Sequence, residues 1–115
     1  MNKDLNISIL MDFYGQLLTE KQLEALALYY NEDLSLAEIA EETGISRQGV
    51  RDSIKRGERQ LEEFEEKLGL YRKLNDFKIG FERINSVIDT LSVGEADADK
   101  IREIKEIANS LSDEL

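Results

Sequence analysis

Residues 35–59 read SLAEIAEETGISRQGVRDSIKRGER, and this stretch decides the fold. Ser35 and Glu38 have the spacing of a capping box, which starts a helix. Gly44 can adopt the left-handed conformation that ends a helix, and Ser46 is a suitable N-cap for a second one. This order of signals predicts a helix-turn-helix, a motif that presents its second helix to a nucleic-acid groove.

The second helix of this motif concentrates positive charge on one side. At 100° per residue, its apolar positions fall in one arc and its cations on the other side of the helix. We predict that six of its residues contact nucleic acid: Arg47, Gln48, Arg51, Lys55, Arg56 and Arg59. The first three lie where base edges are reached, and the last three either reach phosphates or pair with neighbouring glutamates. For Arg59, a plain surface ion pair is an equal alternative.

The charge of the chain is distributed unevenly. The 115 residues carry a formal net charge of −10. Residues 46–60 hold five cations and two carboxylates, a net of +3, so the rest of the chain carries −13. A local basic surface on an acidic protein favours positioned, salt-sensitive binding of a polyanion over indiscriminate coating. The alternative is an ordinary helical hairpin with a solvated charged surface.

The composition indicates the fold class and excludes several functions. The absence of proline, with abundant Leu, Glu, Lys and Ile, predicts an all-α fold. We expect a helix-turn-helix bundle with a long recognition helix and a C-terminal antiparallel helical hairpin. Because cysteine and histidine are absent, we expect no disulfide, no metal and no cofactor. Carboxylates could still act in catalysis, but no motif collects them into a pocket, so an enzyme is the least expected class. No long apolar run or signal peptide is present, which implies a cytoplasmic location without membrane insertion.

The remaining N-terminal sequence completes a domain over residues 1–70, to which we assign nucleic-acid binding. Apolar spacing predicts a first helix over about 5–16. A second capping box, Thr19 with Gln22, predicts a helix from about Glu20 to Tyr30. The long fourth helix should end at a Schellman-type turn formed at residue 69, which is glycine.

Residues 71–115 are predicted to form the helical hairpin, an oligomerisation or acidic interaction segment. Its first helix carries a heptad series that we assign to oligomerisation: Leu74, Phe77, Phe81, Ile84, Ile88 and Leu91. A loop from Val93 to Asp97 precedes a second heptad-patterned helix. The first stripe would be about 26 Å long at 1.5 Å per residue, too long for the N-terminal domain to cover, so a homodimer is favoured over folding back. Its acidic last helix is expected to be solvated, with docking of a basic protein as the alternative.

Five segments of the chain match the wording of a known family: LLTEKQ at 17–22, LYYNEDLSLAEIAEE at 28–42, GISRQ at 44–48, IKR at 54–56 and EKLGL at 66–70. On these segments the chain closely resembles the YlxM family of small bacterial helix-turn-helix proteins. Family genes commonly lie beside that of the signal recognition particle GTPase. The resemblance implies an accessory role with that particle, binding its RNA or its GTPase and influencing the GTPase cycle. It also implies a fold related to region four of bacterial sigma factors.

By that analogy, Arg47, Gln48 and Arg51 would be the reading residues. The chain departs from the family pattern within this helix, since position 49 is usually alanine, 51 often aromatic and 57 often threonine. This chain has Gly49, Arg51 and Gly57. A helical glycine costs about 1 kcal/mol relative to alanine, so we expect the first half of this helix to be softer or to become ordered on binding.

Three functions remain open at this stage. The first is an accessory factor of the signal recognition particle, and the second is a sequence-specific DNA-binding regulator acting as a dimer on duplex DNA. The third is a protein-interaction adaptor, which would depend on the acidic charge outside the basic helix.

Overall fold

A computed structural model describes residues 3–115. Its regular structure consists of six α-helices: α1 Leu5–Tyr14, α2 Glu20–Tyr30, α3 Leu36–Thr43, α4 Arg47–Leu68, α5 Leu70–Ile88 and α6 Glu95–Asp113. A single 3₁₀ turn, Gly15–Leu17, follows α1, so the first helix is shorter than the sequence predicts. No strand occurs in this described part of the chain, and the predicted all-α class is confirmed.

The chain divides into two compact units between Tyr71 and Arg72. In the first unit α4 is central, because α1, α2 and α3 all pack against it. Its most deeply buried side chains come from all four helices: Ile7, Tyr14, Leu26, Ile39, Val50, Ile54 and Leu61. Burial of these side chains is the main force that holds the helix-turn-helix together, at about 1.5–3 kcal/mol for each large one.

Local capping sets the starts of two helices as the sequence predicts. The Thr19 hydroxyl accepts from the Gln22 N–H at 3.2 Å, while the Gln22 side chain accepts from the Thr19 N–H at 3.3 Å. Ser35 and Glu38 form the same pair of bonds at 3.1 and 3.0 Å. Each box satisfies two backbone donors that a helix start would otherwise leave unpaired.

The turn between α4 and α5 is formed by Gly69, whose φ is +62°. Its N–H donates to the Glu65 carbonyl at 2.8 Å, a single αL-type bond. The predicted Schellman turn is wrong, because the Leu70 N–H donates instead to the hydroxyl of Tyr14, at 3.0 Å. That hydroxyl donates to Glu65 Oε1 at 2.6 Å, and the same oxygen accepts from the Tyr71 N–H at 3.1 Å. The beginning of α5 is therefore tied to α1 by a residue 56 positions away.

The second unit is a helical hairpin. Asn85 Nδ2 donates to Asn109 Oδ1 at 2.6 Å, and Lys105 forms an ion pair with Asp89. Asp89 directly follows α5, and its partner Lys105 precedes Asn109 in α6, so the two pairs run in opposite sequence order, as the predicted antiparallel arrangement requires. The Oδ1 atom of Asn85 is buried and has no hydrogen-bond partner within residues 3–115.

The connection between α5 and α6 spans residues 89–94, which corrects two predicted boundaries. The heptad helix was expected to continue to Leu91, but α5 ends at Ile88. The Leu91 N–H donates to the Ile88 carbonyl at 3.0 Å, one of the short-range bonds that tighten the end of a helix. The predicted loop over Val93–Asp97 ends early, because α6 already begins at Glu95.

The heptad residues assigned to oligomerisation separate into two sets. Leu74, Phe81 and Ile88 are half-buried. Phe77, Ile84 and Leu91 are exposed, Leu91 within the loop. Along residues 3–115, no helix combines the length and the apolar character that crossing a membrane requires.

Candidate nucleic-acid interface

The turn before α4 is fixed by two local bonds. Gly44 has a φ of +76°, and its N–H donates to the Ala40 carbonyl at 3.0 Å. The Ser46 hydroxyl accepts from the Gly49 N–H at 3.0 Å, so α4 begins at Arg47 as predicted. These are the glycine stop and the serine cap that the sequence indicated, and together they position the recognition helix α4.

The rotation of α4 about its own axis is fixed by its inner side. Val50, Ile54, Gly57 and Leu61 are buried against the other helices. The six residues that we assigned to nucleic-acid contact are all exposed: Arg47, Gln48, Arg51, Lys55, Arg56 and Arg59. The structure therefore places all of them outside the core, on one helix.

The five cations of this set, here called the basic surface (Arg47, Arg51, Lys55, Arg56 and Arg59), keep their charge free of internal partners. Within residues 3–115, the ion pairs of the structure lie elsewhere, and none joins these side chains to a carboxylate. The ion pair considered for Arg59 is therefore not formed.

One nearby glutamate is committed to a different contact. Glu58 Oε1 accepts from the Tyr30 hydroxyl at 2.7 Å. Burial of that hydroxyl, helped by its bond to Glu58, raises the pKa of Tyr30. This carboxylate is thus drawn toward α2, and the basic surface remains available to an external anion.

The basic surface contains one acidic interruption. Gln48 Nε2 donates to Asp52 Oδ1 at 3.0 Å, one helical turn further along α4. The amide of Gln48 is therefore already engaged, and reading a base edge would require it to exchange this partner. The Asp52 carboxylate therefore places a negative charge among the cations, which disfavours binding at every position along a polyanion.

A groove of about 360 Å³ lies between the start of α2 and the first half of α4. It is lined by Thr19, Lys21, Gln22, Gly49, Asp52, Ser53 and Arg56. Sequence reasoning missed Lys21, which stands 35 positions before Arg56 and reaches the same groove only through the fold. Its place in the first turn after a capping box was the one available signal. The groove extends the polar surface from the recognition helix onto α2.

The glycine at position 57 has a packing reason. A Cβ atom there would lie 2.6 Å from Leu26 Cδ1, closer than side-chain atoms approach one another. At Gly49 a Cβ would lie 2.8 Å from Ile45 Cγ2. Both glycines lie inside a helix that is continuous from Arg47 to Leu68. Gly57 thus permits the close crossing of α2 and α4. The sequence predicted only a softer helix from this glycine and did not predict its packing role.

Among the described residues, no group of acidic side chains is arranged to hold a metal ion. What the site offers chemically is a row of guanidinium and ammonium groups on an exposed helix. Groups of this kind bind phosphate oxygens, and arginine can also contact guanine edges in a wide groove.

Comparison with known proteins places the sequence among helix-turn-helix proteins. Residues 1–107 match the UPF0122 family of YlxM / p13 like helix-turn-helix proteins. A UPF0122 protein of Acetivibrio thermocellus is 47% identical over 109 residues, covering 92% of this chain and 93% of that protein. A UPF0122 protein of Thermoanaerobacter sp. strain X514 is 43% identical over 109 residues, covering 95% and 93%. One from Clostridium perfringens is 55% identical over 75 residues, covering 65% and 67%.

The match includes α1 to α5, the two capping boxes, the glycine turn and the whole of α4. Helix-turn-helix proteins of this kind are not usually enzymes. The chain belongs to the UPF0122 family of YlxM / p13 like helix-turn-helix proteins.

Proposed function

We propose that this protein is a cytoplasmic accessory factor of the signal recognition particle pathway, which binds the particle's RNA through the basic surface and modulates its GTPase. The observation that carries the proposal is the exposed row of five cations without internal carboxylate partners, on a chain of net charge −10. Membership of the YlxM-like family supports it through the role that the resemblance implies.

The charge distribution of the chain favours binding of a structured RNA over binding of long duplex DNA. With −13 of charge outside residues 46–60, a long polyanion is repelled wherever it extends beyond the basic surface. A folded RNA can offer a loop or bulge to one short helix and keep its other phosphates away. Lys21 and the groove beside Arg56 provide a second point for a phosphate.

The direct test is a binding titration with the particle's RNA and with random duplex DNA of matched length, over a salt series. We expect the RNA to bind at least tenfold more tightly at physiological salt, with a steep loss of affinity as salt rises. Equal affinities for the two polymers would contradict the proposal. Pull-down from cytoplasm with and without ribonuclease then separates direct binding of the GTPase from binding through RNA.

A matched pair of variants tests the site itself. Lys55→Ala removes one cation of the basic surface, and Lys78→Ala removes an exposed lysine of the hairpin. We expect Lys55→Ala to weaken RNA binding and to lower the salt slope by about one unit, because one phosphate contact is lost. Lys78→Ala should leave both quantities unchanged, and an identical effect of the two variants would remove α4 from the interface.

The second candidate function is a sequence-specific DNA-binding regulator acting as a dimer. It is favoured by the geometry of α4, a 22-residue helix. One side of its first half is exposed, as in proteins that place a helix in the major groove. Selection from random duplexes would then enrich a palindrome with half-sites about one helical turn apart. Absence of any enriched sequence, together with tight RNA binding, would decide for the first function.

A further inference from the structure

The helical hairpin leaves a continuous apolar face in water. Six large side chains, here called the apolar face, are exposed on one side of the two helices: Phe77, Ile84, Val87, Ile104, Ile107 and Leu111. Their exposed fractions range from 41% for Leu111 to 57% for Phe77. No side chain of α5 is fully buried.

The face contains part of the predicted heptad series and not its whole seam: Phe77 and Ile84 belong to the series, while its members Leu74, Phe81 and Ile88 are half-buried. Residues that point between the helices include Phe81, Ala108 and Ser112, which are half-buried or buried. Ile84, Ile104 and Ile107 are offset around their helices from this seam and flank a groove of about 190 Å³. The groove's lining is completed by Phe81, Ala108 and Leu111 and is almost wholly apolar.

The size of the apolar face approaches that of an interface. Six half-exposed large side chains present on the order of 500 Å² of apolar surface, at the upper end of what monomers leave in water. Two such faces would together bury about 1,000 Å² of apolar surface, which is the lower bound for a specific interface. A two-helix hairpin of 44 residues, Arg72–Leu115, also has little core of its own, and association is the usual remedy for such small units.

The charges of the two helices indicate which molecule covers the apolar face. α5 carries four cations and two carboxylates, a net of +2. α6 carries three cations and six carboxylates, a net of −3. Two copies of the hairpin related by a two-fold axis can place each α5 against the partner's α6, which matches opposite charges on both sides of the bundle.

We propose that the apolar face binds a second copy of this chain, forming a four-helix bundle in which α5 of one copy lies against α6 of the other. This proposal is independent of which nucleic acid is bound, because none of its residues lies in the basic surface. The same hairpins then account for the exposed apolar side chains without any further partner.

The first experiment measures the mass of the full chain by analytical ultracentrifugation over a range of concentrations. We expect a reversible dimer of twice the 13.2 kDa chain. Replacing Ile84 and Ile107 together, Ile84→Glu with Ile107→Glu, should raise the dimer dissociation constant by about 100-fold or more, because charges would enter the centre of the interface. Circular dichroism should show unchanged helix content. A wild-type monomer at all concentrations, or a variant that still dimerises normally, would overturn the proposal.

The matched control is Ile79→Glu. Ile79 is on the same helix and is 53% exposed, compared with 46% for Ile84. It lies about 140° around α5 from Ile84 and about 80° beyond Val87, at 3.6 residues per turn, and so outside the apolar face. We expect its dimer to be as stable as the wild type. An equally raised dissociation constant for Ile79→Glu would mean that a charge anywhere on α5 breaks the dimer. That result would also contradict the proposal that the apolar face is the interface.

A cross-linking experiment tests the arrangement even if the glutamate variants fold poorly. The chain has no cysteine, so engineered thiols give unambiguous products. When the Ile84→Cys and Ile107→Cys variants, carrying tags of different mass, are mixed and oxidised, we expect mainly the mixed disulfide. A predominance of cross-links between identical variants would contradict the placement of α5 against the partner's α6, and an Ile79→Cys variant should not cross-link.

Discussion

The helix-turn-helix unit and the helical hairpin use similar apolar spacing with different results. In the first unit, helices from several directions surround α4, and Ile54 is completely buried. In the hairpin, two helices cover only one side of each other, and Ile84 remains 46% exposed. Periodicity along one helix shows where apolar residues lie, but the number of neighbouring helices determines whether they are buried.

The largest expected effect tests this contrast in packing directly. Ile54→Ala should lower the free energy of unfolding by about 2–5 kcal/mol, because it leaves a cavity in a filled core. Ile79→Ala, at an exposed position of α5, should change it by no more than about 0.5 kcal/mol. Urea denaturation followed by circular dichroism measures both. Similar losses for the two variants would mean that the units do not differ in packing as described.

The second effect concerns the two hydrogen bonds of the Tyr14 hydroxyl in the first unit. Tyr14→Phe removes the hydroxyl that accepts from the Leu70 N–H and donates to Glu65, at a buried position. We expect a loss of about 1–3 kcal/mol in unfolding free energy, because these groups lose their partner. Tyr71→Phe is the control, since the Tyr71 hydroxyl makes no hydrogen bond to any residue in 3–115. An equal loss of unfolding free energy in Tyr71→Phe would mean that the hydrogen bonds of the Tyr14 hydroxyl are not the cause of the effect.

Two glycines, one in each unit, test the same difference in packing. Gly57→Ala should destabilise the first unit by about 1 kcal/mol, because the cost of overpacking against Leu26 exceeds the gain in helix propensity. Gly80→Ala in α5 adds a methyl group where no atom lies within 4 Å, and it should stabilise the helix by about 0.5–1 kcal/mol. Thermal unfolding measures both, and changes of the same sign would refute the packing difference.

The smallest effect is a pH dependence of the first unit that arises from Glu38. The bond from the Ser35 backbone N–H lowers the pKa of Glu38 from its ordinary value of 4.5. Its stabilising contribution is therefore present above the unfolded-state pKa and is lost as the pH falls through the lower folded-state pKa. Glu38→Gln keeps the accepting oxygen but cannot titrate, so its melting temperature should fall less between pH 5 and about pH 3.

Asp33 provides the internal reference for that experiment. A hydrogen bond from Lys3 lowers the pKa of Asp33. The wild type and Glu38→Gln both keep this group, so both should still lose some stability at low pH. Parallel melting curves for the wild type and Glu38→Gln over this pH range would show that the capping carboxylate does not contribute.

Features set by a few neighbouring residues were predictable from the sequence. The Thr19 and Ser35 caps, the left-handed Gly44 and the start of α4 after Ser46 all follow from contacts within four positions. The exposure of the cationic residues on α4 also followed, because the buried series on the opposite side of the helix fixes their direction.

Features that depend on distant residues were not predictable. The bond from Leu70 to Tyr14 replaces the expected turn geometry, and nothing near Gly69 in sequence indicates it. Lys21 reaches the groove beside Arg56 only because α2 crosses α4. In the hairpin, a heptad count cannot distinguish the seam from the adjacent stripe, since both recur every three or four residues.

The junction at Gly69 also determines where this chain can tolerate insertions. A single residue separates α4 from α5, and the bonds on either side of it reach fixed partners in α1 and α4. One added residue there would lengthen the turn and separate the Leu70 N–H from its acceptor, the Tyr14 hydroxyl. The exposed connection at 89–94 has few such ties, so variation in length among related chains should be found there and not at the α4–α5 junction.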